Sequence, residues 1–225
     1  MNEVDFIIDK YFSLYSKILG IGTLTEGLTA EGAVTITSMV PYDFFNDEKT
    51  LCVNKDIKYR QFGEVFILFN DLKDSTKILE QCEINQKEYI YTGYIYYSTK
   101  LLAEILDLLG GKIVEITGDG NYSIIQKTNF NQRKFIELND ELGRKISSDI
   151  ESEDLRLFIS NLFDRFNGKI SKVLKENYYN FNFLIRVGCK FGNCKITRFE
   201  IDGHVKQDKL IGSIVNKAAH QAMEK

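Results

Sequence analysis

Val65-Phe66-Ile67-Leu68-Phe69-Asn70-Asp71 is the stretch whose reading decides the fold. Five apolar residues in a row, β-branched and aromatic among them and with no polar alternation, mark a strand covered on both faces. Asp71 stands at its end, and Asp74-Ser75-Thr76 then offers side chains suited to a helix N-cap. One or two helices run on to Leu109, the later one carrying Tyr91, Tyr94, Ser98, Leu101, Leu102, Ile105 and Leu109 on its buried face. Gly110-Gly111 stops it. Residues 112–117 read as a strand, Gly118-Asp119-Gly120 as a tight turn and 121–127 as the returning strand, an Asp-Gly hairpin.

Outward from this centre, helical pattern fills residues 131–177 in pieces, and the acidic cluster Asp149, Glu151, Glu153 and Asp154 reads as a solvated helix start. Residues 183–190 predict a strand and 193–200 another; after a polar loop, Ser213 caps a last short helix. Upstream, Val4, Ile7, Ile8, Tyr11, Phe12, Tyr15, Ile18 and Leu19 recur at helical spacing, so 2–19 predicts an amphipathic helix. Residues 33–40 and 42–45 are β-prone, split by Pro41. The order strand, helix, two-stranded hairpin, helices, strand is an α+β, ferredoxin-like βαββαβ sheet with helices on one face and C-terminal strand and helix additions. Residues 1–59 are expected to form an N-terminal helix with an irregular or β extension, and 60–225 the main domain.

Composition narrows the function. The 225 residues are 44% hydrophobic and 27% charged, globular values, with one Pro and 16 Gly. Lys plus Arg number 29 against 32 Asp plus Glu, a net charge of −3, which supplies no bulk positive field for nucleic acid. A phosphate-bearing ligand is then held by a few placed groups or a metal. No apolar run nears the ~20 residues that cross a bilayer, and the acidic start Asn2-Glu3-Val4-Asp5 does not suit an export signal. The cysteines (Cys52, Cys82, Cys189, Cys194) form no C-x-x-C pair, and only His204 and His220 stand by as further zinc ligands. A cytoplasmic protein with reduced thiols is expected.

In a βαββαβ sheet the end of the first strand lies beside the hairpin turn, so Asp71 and Asp119, distant in sequence, are brought toward each other. Two adjacent carboxylates repel unless a cation lies between them, and hard oxygen ligands select Mg²⁺ or Mn²⁺. A two-ion site of this kind suits in-line displacement at phosphorus. Spacing alone also allows a plainer reading, in which Asp71 caps the following helix and Asp119 fills a turn.

Four segments carry a family resemblance. Residues 66–76 (Phe-Ile-Leu-Phe-Asn-Asp-Leu-Lys-Asp-Ser-Thr) resemble the strand-Asp-helix segment of class III nucleotidyl cyclases, and 110–120, ending Thr117-Gly118-Asp119-Gly120, resemble their Gly-Asp hairpin. Ile185-Arg186-Val187-Gly188 is similar to their Arg-Val-Gly strand, and Gly212-Ser213-Ile214-Val215-Asn216 to their final Gly-x-x-Val-Asn helix. The resemblance covers about 64–221 and implies a cyclase homology domain over 60–225. It implies cyclisation of a nucleoside triphosphate by its own 3′-hydroxyl with loss of pyrophosphate. Asp71, Asp119 and the Leu72 carbonyl would hold two ions, Mn²⁺ or Mg²⁺. The amides of Lys73, Asp74, Ser75 and Thr76 would receive the distal phosphates, Arg186 would contact phosphate, and Asn216 would orient the ribose. A homodimer with shared active sites is implied as well.

Two departures stand out. The family's transition-state arginine is His220 here, one helical turn after Asn216, with Lys217 as a possible substitute; and the chain given ends at Lys225, before the family's late triphosphate lysine. The base-reading positions hold Glu115 and Lys209, charges reversed from the adenine readers, although Asp208 lies next door. A carboxylate offers acceptors and an ammonium donors, the complement of the N–H and carbonyl edge of guanine or uracil. In its compactness the chain resembles the pyrimidine cyclases of bacterial antiphage (Pycsar) defence. UTP is the expected substrate, with CTP and GTP as alternatives, and a separate cyclic-nucleotide-responsive effector as the reader of the product. No membrane or nucleic-acid partner is expected. A catalytically silent, nucleotide-binding cyclase homologue is the competing reading.

Overall fold

A computed structural model describes residues 2–20, 51–54, 57–143, 149–177, 179, 181–201 and 205–224. The expectations for residues 33–45 and for His204 lie outside them. In chain order the elements are helix α1 (Glu3–Gly20), strands β1 (Leu51–Asn54) and β2 (Ile57–Leu72), helices α2 (Ser75–Ile84) and α3 (Glu88–Leu109), the hairpin β3 (Gly111–Thr117) and β4 (Gly120–Gln126), helices α4 (Gln132–Glu141) and α5 (Ser152–Glu176), strands β5 (Ile185–Ile201) and β6 (Val205–Ile211), and helix α6 (Ser213–Met223).

The strands pair antiparallel in the order β3-β4-β2-β5-β6, with β1 alongside β2. Without β1 and β6 this is the ferredoxin-like order, as expected from the βαββαβ pattern. The run Val65 to Phe69 is buried residue by residue. Its even members Phe66 and Leu68 join the larger core beneath α1, α3, α4 and α5, while Val65, Ile67 and Phe69 join a smaller one capped by α6. Among the described residues helices therefore cover both faces, not one as expected: the main set lies on one, and the C-terminal helix covers the other.

Four local expectations need correction. Residues 193–200 are not a separate strand, because β5 continues through Gly192-Asn193, where the β2–β5 register shifts between Phe62 and Val65. There Glu64 takes a left-handed φ of 47° and its N–H donates to the Asn193 side chain at 3.3 Å, a bulge that bends both long strands and leaves them paired. The polar segment before Ser213 contains strand β6, and Gly212, not Ser213, occupies the N-cap position of α6. On α3, Tyr91 is only partly buried, whereas Tyr94, Ser98, Leu101, Leu102, Ile105 and Leu109 are buried as expected.

The bend curls the sheet until its two edges meet, Lys209 of β6 pairing with Glu115 of β3 across the concave face. The expected N-terminal helix exists, and its apolar stripe (Val4, Ile7, Ile8, Tyr11, Tyr15, Ile18) belongs to the same core as Leu68 and Leu72. The acidic cluster starts α5 as expected: the Glu151 amide donates to the Asp154 carboxylate at 2.9 Å. Cys82, Cys189 and Cys194 are buried free thiols, and burial pushes the Cys82 thiol up to about 11. Among the described residues no helix is long and apolar enough to cross a membrane.

Candidate active site

Strand register builds the site. Asp71 at the end of β2 stands opposite Gly120 on β4 and opposite Arg186 on β5. Thr117 pairs with Gly120, so Gly118-Asp119 is a two-residue hairpin loop with a left-handed φ of 67° at Gly118, which glycine adopts without steric cost. A Cβ on Gly120 would lie 2.4 Å from the Asn70 carbonyl oxygen, so only glycine lets the turn close this tightly against β2.

A cavity of about 420 Å³ opens there, lined by Asp71, Leu72, Lys73, Asp74, Ser75, Thr76, Lys77, Asp119, Arg186 and Met223. The Arg186 guanidinium donates to the Asp71 carboxylate. Burial raises the Asp71 carboxyl above the usual carboxylate range; the Arg186 hydrogen bond opposes this, and the negative charge of Asp119 adds to it. The two aspartates feel each other's field, as the sheet plan leads one to expect.

The chain turns sharply into α2 at Asp74, whose φ is 55°. Its side chain does not cap the helix as expected; it pairs with Lys77 at 3.0 Å instead. The first intrahelical bond is made by the Ile78 amide to the Asp74 carbonyl, so the amides before it have no acceptor within the helix. Those of Asp74, Ser75, Thr76 and Lys77 belong to residues lining the cavity, at the positive end of a helix dipole, whereas the Lys73 amide is taken by the Leu184 carbonyl at 2.9 Å and is not free for a phosphate as the resemblance implied.

Glu115 and Lys209 form their own ion pair on the concave face, the Glu115 side chain only 10% exposed. Asp208, the alternative base reader, is engaged elsewhere: Arg198 holds it with two hydrogen bonds of 2.7 and 2.9 Å. Asn216 and His220 are exposed on α6 and do not line the cavity, although Met223 of the same helix does. α6 is held close by Gly188, where a Cβ would lie 1.8 Å from the Ala218 carbonyl oxygen, and by the Gln221 side chain, which accepts from the Cys189 amide at 3.0 Å.

Two aromatic residues near the site went unread in the sequence. The Tyr91 phenol hydrogen-bonds the Ser75 side chain, and burial together with the charges of Asp119 and Asp71 raises its pKa. Tyr122, paired with Glu115 on one side and Phe69 on the other, packs against Phe69 with the rings tilted by 41° and their centroids 4.6 Å apart; burial and the charges of Glu115 and Asp71 raise its phenol too.

Among the described residues no group of three or more His, Cys, Asp and Glu side chains gathers in metal-binding fashion. What the cavity offers is two carboxylates, Asp71 raised by the charge of Asp119, a hard oxygen donor set that fits Mg²⁺ or Mn²⁺ and not zinc.

No protein-family model matches the chain, and no curated protein matches it in sequence. Solved structures do match it in fold. One is a class III adenylyl cyclase-like ATP-binding protein from Pseudomonas aeruginosa, 13% identical, covering 74% of this chain and 32% of that one at a TM-score of 0.53. This chain therefore spans about a third of that protein's length. The adenylyl cyclase CyaB from P. aeruginosa is 16% identical over 74% of each chain, with a TM-score of 0.48. A dimeric guanylyl cyclase domain from the aquatic fungus Blastocladiella emersonii is 13% identical over 73% of this chain and 75% of that one, at 0.45. The fold is that of a class III cyclase domain, a mixed α+β structure on a curled antiparallel sheet.

Proposed function

We propose that this protein is a divalent-metal-dependent nucleotidyl cyclase that converts UTP to 3′,5′-cyclic UMP and pyrophosphate. The observation carrying the reading is the convergence of Asp71, Asp119, Arg186 and the open amides of α2 on one cavity at the end of β2. Asp71 and Asp119, with the Leu72 carbonyl, would hold Mn²⁺ or Mg²⁺, which when bound neutralises charge on the phosphates and polarises the attacking hydroxyl. The amides of Asp74, Ser75 and Thr76 would receive the β- and γ-phosphates, with the helix dipole favouring the negative charge; the Lys73 amide, expected to join them, already donates to the Leu184 carbonyl at 2.9 Å. Arg186 contacts phosphate. The ribose 3′-hydroxyl gives up its proton to water as its oxygen bonds to the α-phosphorus and the bond to the bridging oxygen breaks, and pyrophosphate leaves.

Asn216 and His220 are exposed on α6, which suits a homodimer in which a second copy supplies them to the site, Asn216 orienting the ribose and His220 donating to the α-phosphate. Glu115 accepts from the uracil N–H and Lys209 donates to its carbonyl. Their ion pair, together with the engagement of Asp208 by Arg198, supports a uracil- or guanine-type edge over adenine. On the antiphage resemblance, the cyclic nucleotide is a messenger for a separate effector.

Incubating purified protein with Mn²⁺ and each of the four ribonucleoside triphosphates tests the reading. Cyclic UMP is the expected main product; cyclic CMP or GMP would redirect the base assignment, and product from ATP alone would end it. A second reading, a silent nucleotide-binding homologue, draws on the engagement of Asp71 by Arg186 and on the neighbour described as an ATP-binding protein. Binding without pyrophosphate release from any of the four nucleotides would favour it.

A further inference from the structure

We propose that Arg186 competes with the divalent cation for Asp71, so that metal and triphosphate bind as a coupled pair, the guanidinium passing from carboxylate to phosphate as both arrive. The inference rests on the metal-site reading above and adds an order of events to it. The Asp71 side chain is 13% exposed and its backbone is held between two paired strands, so its carboxylate has little freedom to move aside. Arg186 donates to one of its oxygens, which occupies a ligand position and places a positive charge where a cation would sit.

Of the two groups, Arg186 is the one built to move. Its side chain is long, and its Nε is buried without a hydrogen-bond acceptor among the described residues. The same cavity holds the α2 amides, so a triphosphate seated on them would bring oxygen acceptors to that orphaned donor. Drawing the guanidinium to phosphate releases Asp71 for the ion. By linkage, each ligand then raises the affinity for the other by the same factor.

Equilibrium binding to the purified full chain, free of nucleotide, tests this. Mn²⁺ binding is followed by the loss of its free-ion paramagnetic resonance signal, and inorganic tripolyphosphate binding, without metal, by calorimetry. Arg186→Gln is expected to tighten Mn²⁺ binding by about tenfold, the scale of one charge-assisted hydrogen bond removed, and to weaken tripolyphosphate binding. These opposite signs are not produced by general loosening of the site. Arg186→Lys keeps the charge without the fork, gives a smaller shift in the same directions, and supplies the comparison if the glutamine variant fails to fold. Unchanged or weaker Mn²⁺ binding in the Arg186 variants, with binding abolished in Asp71→Asn, would overturn the competition and leave the metal site standing. Mn²⁺ binding unaffected by Asp71→Asn would instead remove the metal site, and the competition with it.

Discussion

The two groups of residues assigned to chemistry are built in different ways. Asp71 and Arg186 stand on neighbouring strands and Asp119 in the hairpin loop beside them, at the rim of one cavity and in a register set by backbone pairing. Asn216 and His220 stand exposed on α6, a helix joined to the sheet through Gly188 and Gln221. Strand pairing assembles the acidic group within one chain. The helical group faces outward and is completed, in the proposed function, only by a second copy.

The largest test of that contrast removes the acidic half. Asp71→Ala or Asp119→Ala should lower pyrophosphate release by about a thousandfold or more, with the circular dichroism spectrum retained. Next comes mixing. If the halves come from different subunits, equal amounts of inactive Asp119→Ala and Asn216→Ala chains should regain about a quarter of wild-type activity, since half the dimers are mixed and each carries one intact site. No recovery on mixing would place all these residues within one chain.

Exchanging Glu115→Lys with Lys209→Glu keeps the ion pair and reverses its polarity. Relative turnover of UTP against ATP should fall by about ten- to a hundredfold, the cost of leaving buried base-edge groups unpaired. An unchanged preference would remove the pair from base reading. The smallest effect is expected at Gly188. A Cβ there would lie 1.8 Å from the Ala218 carbonyl, so Gly188→Ala should cost about 1–3 kcal/mol in urea unfolding and displace α6. Turnover should fall while Mn²⁺ binding at the acidic half stays as it was.

The same contrast governs how much was legible in the sequence. Asp71 and Asp119 could be placed together because local signals sufficed: an apolar run too continuous for a half-exposed strand, and an Asp-Gly turn. Strand β6 looks like a loop in the sequence because Lys206-Gln207-Asp208-Lys209 carries no apolar alternation, and an edge strand that closes a curled sheet needs little of it. Gly192-Asn193 has the composition of a turn and forms a bulge, a distinction made only by the opposing strand. Tyr91 matched the helical period of its buried neighbours, and nothing local distinguishes a tyrosine in the core from one turned to Ser75. Tyr122 belongs to the site only because strand pairing sets it opposite Glu115 on one side and opposite Phe69, two residues from Asp71, on the other.

Strand β6 pairs with β5 only from Lys195 onward, so the outer backbone edge of β5 before that point is left for α6 to cover. The Gln221 side-chain Oε1 accepts from the Cys189 N–H, and Gly188 is tucked beneath the helix. An uncovered apolar edge of this kind is a template for adding strands from neighbouring molecules. With the C-terminal helix removed, by a cut before Ser213, that edge loses its cover, and the shortened chain is expected to aggregate during expression.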